Sequence, residues 1–206
     1  MMEPALAIET PPATALFEQR GYEVVPALIP REVLDIAFRY YLSFTNCPGY
    51  YTVKPGVQAL DRYADALGEA MLPTVQARLE TLTGLKLLAT YSFARIYTTA
   101  SRLRKHVDRG ACEVSATMTV GFRNADGLWP IFVESDGVDV AVPLDVGDAL
   151  VYRGMQVPHW REPLAKGIWC QLFFHFVEAD GAMREHAMDG RGRLGPWTGD
   201  QLQQVD

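Results

Sequence analysis

Apolar residues in the first third of the chain recur mainly at the spacing of amphipathic helices. In the segment 30–44 (PREVLDIAFRYYLSF), a proline at a favoured first helical position precedes this pattern, which predicts a helix over 31–45. A second stretch of the same kind predicts a helix over 60–83, with a kink or break at Pro73. Gly84 is expected to cap this helix, because glycine readily adopts the left-handed conformation found at helix ends.

The other N-terminal segments lack helical spacing. The apolar run 21–29 predicts a short strand, and the proline and glycine residues of 47–59 predict a loop. Residues 1–14 carry prolines at positions 4, 11 and 12 and are expected to form a loose leader.

From Lys86 onward the pattern changes to short runs rich in β-branched and aromatic residues, separated by turn residues. These runs predict strands at 87–97, 112–122, 129–134, 138–144, 149–154 and 168–178. The runs on either side of Gly137 predict a hairpin in which this glycine has a positive φ. Antiparallel strands that follow a helical third predict an α+β fold. We expect a double-stranded β-helix (a cupin-like jelly roll) with the N-terminal helices packed on one sheet.

Length and composition fit one globular domain. The chain has 206 residues, of which 49% are apolar and 21% are charged. We expect a single domain in which 15–87 form a helical support, 88–178 form a catalytic jelly-roll core, and 179–206 form an irregular tail or lid.

The charge balance restricts the partners. A net charge of −6 argues against nucleic acid or an anionic membrane as the main partner. A local basic cluster does occur beside His106 and Asp108, and it suggests a site for an anionic small molecule. This cluster consists of Arg102, Arg104, Lys105 and Arg109.

The prediction of the cellular compartment depends on the lack of a secretory leader pattern, of a long apolar run and of paired cysteines in this sequence. There is no basic and apolar leader of the secretory kind, and no apolar run approaches the roughly 20 residues of a membrane span. Cys47, Cys112 and Cys170 share no metal-ligand spacing and are expected to be reduced thiols. We therefore expect a soluble, cytoplasmic protein without a membrane partner.

Three residues form a candidate metal centre. In a strand, His106 and Asp108 would present an imidazole and a carboxylate on the same face. His159 follows a Gly-Asp turn and an apolar run (GDALVYRGMQVP), so a later strand can supply a second imidazole. Two histidines and one carboxylate on one face of an octahedron leave open positions, as non-haem iron(II) enzymes require.

These motifs resemble the iron(II)/2-oxoglutarate-dependent oxygenase superfamily, particularly its prolyl-hydroxylase-like branch, over about 88–178. In that branch a tyrosine and a turn precede His-x-Asp, and a distal histidine follows a Gly-Asp strand. The resemblance implies iron(II), 2-oxoglutarate and O₂ as cofactor and co-substrates. It also implies hydroxylation of a C–H bond in a small molecule or peptidyl residue, with release of succinate and CO₂. The identity of the substrate is not implied.

The resemblance also implies a cation for the distal carboxylate of 2-oxoglutarate. The branch places it nine or ten residues after the distal histidine, where this chain has Ile168 and Trp169. Arg161 is the preferred replacement, because an extended segment would aim it into the same cavity as His159.

Arg95 is the next candidate for this cation, followed by Lys166 and then Arg123. Tyr97, on the same strand face as Arg95, matches the tyrosine that contacts the co-substrate in that branch.

Several alternatives stay open from the sequence alone. The missing basic residue on the last strand favours a cupin-like isomerase or dioxygenase that does not use 2-oxoglutarate. A non-catalytic binding module and a zinc hydrolase are less favoured, because the ligand set is intact and no HExxH motif occurs. The alternating segment 112–120 could direct either its polar or its apolar face inward. His175 is expected in the core or a pocket wall, and His186 in solvent.

Overall fold

The computed structural model describes residues 13–53 and 56–192. The helices are α1 (Ala13–Arg20), α2 (Arg31–Ser43) and α3 (Ala66–Thr83), and short 3₁₀ turns lie at Gly110–Cys112 and within Arg184–Gly190. The strands are β1 (Tyr22–Val25), β2 (Thr52–Val53), β3 (Ala59–Tyr63), β4 (Leu87–Thr98), β5 (Leu103–His106), β6 (Val114–Arg123), β7 (Ile131–Ser135), β8 (Val138–Val142), β9 (Ala149–Arg153), β10 (His159–Arg161) and β11 (Ile168–Glu178).

The strands form two antiparallel sheets, as predicted. The larger sheet has seven strands in the order β1-β9-β6-β11-β4-β3-β2, and the smaller has four in the order β5-β10-β7-β8. The hairpin between β7 and β8 is confirmed, and both Asp136 and Gly137 in its turn have positive φ. The α+β double-stranded β-helix is therefore confirmed as the fold class.

The helices cover the outer face of the seven-stranded sheet. Strand β6 alternates, so that Val114, Ala116 and Met118 join Leu34 of α2 and Leu72 of α3 in one apolar core. The opposite face of the same strand points between the two sheets. This arrangement leaves the inner face of the larger sheet to polar and aromatic side chains, and it settles the question of which face of 112–120 points inward.

The predicted helix over 60–83 is wrong over its first six residues, 60–65. Residues of β3 pair with β4, and Asp61 of β3 accepts two hydrogen bonds from Arg95 across the pair. The helix begins only after Asp65, whose side chain accepts a hydrogen bond from the backbone N–H of Leu67 and so caps the helix. The helix is undivided at Pro73 and ends at Gly84 in the expected left-handed conformation.

The loop predicted at 47–59, the start of the first helix and the tail differ from expectation only slightly. The segment 47–59 is not only a loop, because β2 pairs with β3. The helix α1 begins at Ala13, within the segment expected to be a loose leader, whereas 1–12 lie outside the described residues. The tail is irregular as far as Gly192, and 193–206 lie outside the described part. Among the described helices, none is both long and apolar enough to cross a membrane.

Candidate metal centre and adjoining cavity

Two neighbouring strands of the smaller sheet carry the histidines. His106 ends β5, His159 begins β10, and the two residues are directly paired across the strands. Asp108 lies just beyond β5 rather than within it, so the strand-face argument does not place it. Its position is fixed instead by a 2.8 Å hydrogen bond that its backbone N–H donates to the Gly154 carbonyl.

Gly154 permits this close approach. A Cβ atom at this position would lie 2.1 Å from the Cys112 carbonyl oxygen and 2.7 Å from Asp108 Oδ2. Both distances are shorter than atomic contact allows, and the first involves backbone that cannot rotate away. The connection after β9 can therefore pass beside Asp108 only because residue 154 has no side chain.

The donor atoms of the three residues converge. Asp108 Oδ1 lies 3.5 Å from His106 Nε2 and 3.7 Å from His159 Nε2. In each histidine the other ring nitrogen, Nδ1, lies 2.8–3.0 Å from a backbone carbonyl two residues earlier, of Arg104 or Val157. A carbonyl only accepts hydrogen bonds, so Nδ1 carries the proton and Nε2 keeps its lone pair for a metal.

The electrostatics also suit a cation. Burial alone would raise the pKa of Asp108, but the hydrogen bond with His106 and the nearby His159 and His175 lower it below its usual value. Burial lowers the pKa of His159, whereas the hydrogen bond with Asp108 raises that of His106. Asp108 Oδ2 is buried without a hydrogen-bond partner among the described residues. An anionic oxygen left in this way fits a site completed by a metal ion.

A second set of potential ligands shares Asp108 but fits less well. Asp108, Cys112 and His175 also have donor atoms within 4.8 Å of one another. Burial raises the pKa of the Cys112 thiol to about 12, and its sulfur lies 3.1 Å from the Tyr91 hydroxyl. His175 Nδ1 is 2.8 Å from Ser115 Oγ. The Cys112 sulfur is thus already hydrogen-bonded to Tyr91, whereas Nε2 of His106 and His159 keeps its lone pair, so the set with the two histidines is the better metal centre.

Arg161 is buried and has no counter-ion among the residues that the structure describes. It lies two residues after His159, is 2% exposed, and donates one hydrogen bond from Nη1 to the Trp129 carbonyl. Its Nε and Nη2 have no partner among the described residues, nor does the buried hydroxyl of Tyr97. Burial lowers the pKa of Arg161 to about 10, although Tyr97 and Tyr152 oppose this. A charged group so poorly compensated indicates a place for an anion.

The other basic candidates are already engaged or remote. Arg95 forms a bidentate pair with Asp61, at 2.5 and 2.7 Å. Lys166 is exposed beside Asp126, and Arg123 lies over the ring of Phe38. Of the four arginine and lysine candidates, Arg161 alone is both buried and without a carboxylate neighbour in the described chain.

Polar side chains line the interior between the sheets. Thr117 accepts a hydrogen bond from Gln171, whose side-chain oxygen accepts one from the indole of Trp169. His175 is buried in the wall of a cavity, as its strand position predicted, whereas His186 is partly exposed beside Glu185. This interior is therefore polar near β6 and β11 and can accommodate a polar ligand.

A cavity of about 330 Å³ opens beside the candidate metal ligands. Its lining includes all three of them together with residues of β4 and β11, such as Tyr91, Phe93 and Phe173. Small-molecule sites commonly occupy roughly 300–1,000 Å³, so this cavity lies at the small end of that range.

The tail contributes to the site in a way that sequence spacing did not reveal. Asp189 accepts hydrogen bonds from the Tyr63 hydroxyl and from Arg109. Arg191 is buried and pairs with Glu69 of α3 at 3.0 Å. Asp189 and Glu69 belong to no recognisable sequence motif, and each of these acids pairs with a residue far away along the chain. The only available signal was the presence of charged residues, among them Asp189 and Arg191, between the glycines of the tail.

Comparison with known proteins defines the fold family. No protein-family model and no curated protein matches this chain. Among solved structures, a prolyl-4-hydroxylase of Pseudomonas putida is 15% identical with a TM-score of 0.63, covering 81% of this chain and 97% of its own. The α-ketoglutarate-dependent epimerase SnoN of nogalamycin biosynthesis is 16% identical with a TM-score of 0.67, covering 92% and 95%.

A third similar structure contains ligands. HygX of Streptomyces hygroscopicus, with nickel, 2-oxoglutarate and hygromycin B bound, is 14% identical with a TM-score of 0.63, covering 81% of this chain and 86% of its own. Identities this low establish a shared fold. The expected resemblance to the 2-oxoglutarate oxygenases, prolyl hydroxylases included, is therefore confirmed at the level of the fold.

Proposed function

We propose that this chain is an iron(II)- and 2-oxoglutarate-dependent oxygenase. His106, Asp108 and His159 would hold the iron, and Arg161 with Tyr97 would bind the distal carboxylate of 2-oxoglutarate. The observation that carries this proposal is the buried Arg161, which lies two residues after His159 and has two donor nitrogens without a partner in the described part of the chain. Together, bound iron, 2-oxoglutarate and O₂ supply the oxidation of a substrate C–H bond, with succinate and CO₂ as by-products.

The side chains have separate tasks in this scheme. The Arg104 and Val157 carbonyls hold the two imidazoles in the tautomer that presents Nε2. The planar guanidinium of Arg161 can donate two parallel hydrogen bonds to a carboxylate, and Tyr97 can donate a third. Trp129, whose ring lies 4.6 Å from the Arg161 guanidinium carbon, helps to exclude water from this end. Arg95 stays a lesser candidate, because Asp61 already neutralises it.

The fold and the comparisons support hydroxylation only as the default outcome. HygX has hygromycin B bound, SnoN is an epimerase, and a prolyl hydroxylase of Trichoplax adhaerens is in complex with a peptide fragment. A small molecule or a peptidyl residue is accordingly the proposed class of substrate. The absence of nucleic-acid and membrane partners and the cytoplasmic location stay predictions.

Titration of 2-oxoglutarate into Ni(II)-loaded protein tests the proposal. Tight, metal-dependent binding is expected, and Arg161→Ala should weaken it at least about tenfold, since charge-assisted hydrogen bonds contribute about 1.5–3 kcal/mol each. Arg161→Lys should bind 2-oxoglutarate more tightly than Arg161→Ala, because lysine restores the positive charge but not the two parallel hydrogen bonds of the guanidinium. Lys166→Ala is the matched control and should have no effect. Metal binding without any affinity for 2-oxoglutarate would favour the cupin-like alternative instead.

A further inference from the structure

The floor of the cavity is made of aromatic rings. Tyr91 and Phe93 of β4 are paired across the strands with His175 and Phe173 of β11, and all four side chains line the cavity. The ring centroids are 4.6 Å apart for Tyr91 and His175 and 6.1 Å apart for Phe93 and Phe173. The rings of each pair are inclined to one another, by 44° and 65°, so the two pairs form an aromatic wall that a ligand ring can contact by its edge or its face.

The charged side chains around this surface are already neutralised. Arg95, which lines the cavity, is paired with Asp61 through both Nε and Nη2. Arg109 also lines the cavity and forms a two-fold contact with Asp189 at 2.9 Å. The third charged residue of the lining is Asp108, which belongs to the candidate metal centre. Among the described residues, none in the lining offers an unpaired charge to a substrate.

The basic cluster noted in the sequence does not alter this balance. Lys105 is paired with Glu134 and Asp139, and Arg109 with Asp189. Arg102 and Arg104 are exposed and do not line the cavity. Among the described residues, the four members of this cluster therefore offer no unpaired charge to a ligand in the cavity, and the expectation of an anionic small molecule at the cluster stays a prediction.

We propose that the primary substrate is an uncharged small molecule that presents a planar ring to Tyr91, Phe93, Phe173 and His175. This inference rests on the proposed function only in calling the bound molecule a substrate. The cavity of about 330 Å³ has space for one or two rings rather than for a long chain, and neither Arg161 nor Tyr97 is among its lining residues. A charged molecule would lose its hydration here without gaining a counter-charge.

Two matched sets of ring compounds provide the test. One set is indole, indole-3-acetate and tryptamine, and the other is benzyl alcohol, benzoate and benzylamine. Their affinities for the full-length protein are measured by ligand-observed NMR, with and without Ni(II) and 2-oxoglutarate. In at least one set the neutral member should bind at least about tenfold more tightly than either charged member, a difference of about 1.4 kcal/mol. If neither set favours its neutral member, the proposal is overturned.

Charge-altering variants make the test sharper. Asp189→Asn leaves Arg109 uncompensated and should shift the preference towards the anionic ring compound. Arg109→Gln leaves Asp189 uncompensated and should shift the preference towards the cationic one. Phe173→Leu keeps an apolar side chain and should weaken binding of the neutral ring severalfold. Shifts in the same direction for Asp189→Asn and Arg109→Gln would contradict the proposed pairing.

These outcomes are independent of the proposed function. If the protein binds the neutral ring but neither metal nor 2-oxoglutarate, the proposed ring site stands and the proposed oxygenase function is wrong. If it binds metal and 2-oxoglutarate but does not prefer the neutral ring, the oxygenase function stands and the proposed ring site is wrong.

Discussion

At the scale of single residues, the candidate metal centre depends on backbone carbonyls as much as on its three side chains. The Arg104 and Val157 carbonyls fix which nitrogen of His106 and His159 is protonated. Ala substitution of His106, Asp108 or His159 should therefore lower iron stoichiometry sharply while circular dichroism stays native, because strands scaffold the site. Metal analysis of purified variants tests this, with His186→Ala as the control. Unchanged iron content in His159→Ala would contradict the assignment.

His175 should make the stability of the metal-free protein depend on pH. Burial lowers the pKa of its imidazole to about 4, whereas in the unfolded chain it titrates near 6.5. Between these values the unfolded state binds more protons, so stability is complete above about pH 6.5 and falls as the pH falls towards 4. The slope attributable to this residue should reach at most about 1.4 kcal/mol per pH unit.

Urea denaturation across this pH range measures that slope. His175→Gln retains a hydrogen-bonding group opposite Ser115 but cannot titrate. The variant should therefore show a shallower decline in stability than the wild type below pH 6.5. Parallel curves for the two proteins would show that His175 does not titrate differently on folding.

The residue-level chemistry was partly accessible from the sequence. Spacing and the family resemblance together named His106, Asp108 and His159, which the structure brings together although Asp108 lies beyond β5, and Arg161, which it buries. Spacing could not identify Asp61 as the partner of Arg95, because that pair is formed only when β3 and β4 align. Long-range ion pairs leave no periodic signal in a sequence.

At the scale of elements, the errors occurred where tertiary pairing overrode local pattern. The segment 59–63 has spacing compatible with a helix, yet it adds to the edge of the larger sheet beside β4. The strands of the core were easier to predict, because runs such as 168–178 are rich in apolar and aromatic residues and are buried on both faces. A strand that is buried on both faces can be recognised from its nearly continuous apolar sequence, whereas a strand near the edge of a sheet, such as β3, cannot.

The connection after β9 offers a prediction at this scale. Gly154→Ala should place a methyl group against the Cys112 carbonyl and the Asp108 carboxylate. Because the carbonyl belongs to the backbone, the loop must move, and Asp108 should move with it. We expect lower metal affinity together with a loss of stability of about 1–3 kcal/mol, the usual cost of overpacking.

The matched control for that prediction is Gly192→Ala. A Cβ atom at position 192 has no neighbour within 4 Å among the described residues, so stability and metal affinity should be unchanged. Calorimetric titration with Ni(II) and thermal unfolding would compare the two variants. Equal behaviour of both would show that the close approach at Gly154 is unimportant.

At the scale of the whole molecule, the tail joins the helical layer to the cavity. Arg191 and Glu69 form an ion pair whose side chains are 4% and 3% exposed, and Arg191 also donates to the Thr90 carbonyl. Glu69 in turn accepts hydrogen bonds from the backbone and hydroxyl of Ser92. This contact holds Asp189, two residues earlier, beside Arg109 at the cavity. The structure thus connects α3, β4 and the tail through one buried carboxylate.

Breaking this pair on one side should be costly, and removing both charges should cost less. Arg191→Met leaves Glu69 charged and buried, which should destabilise the protein by about 3–5 kcal/mol. Adding Glu69→Gln removes the buried negative charge, and the side-chain oxygen of the glutamine can still accept hydrogen bonds from Ser92. The double variant should therefore regain much of the lost free energy of unfolding. Urea denaturation of the two single variants and the double variant gives the coupling free energy. If the double variant is no more stable than Arg191→Met alone, the loss arises from packing, and the ion pair does not hold the tail in place.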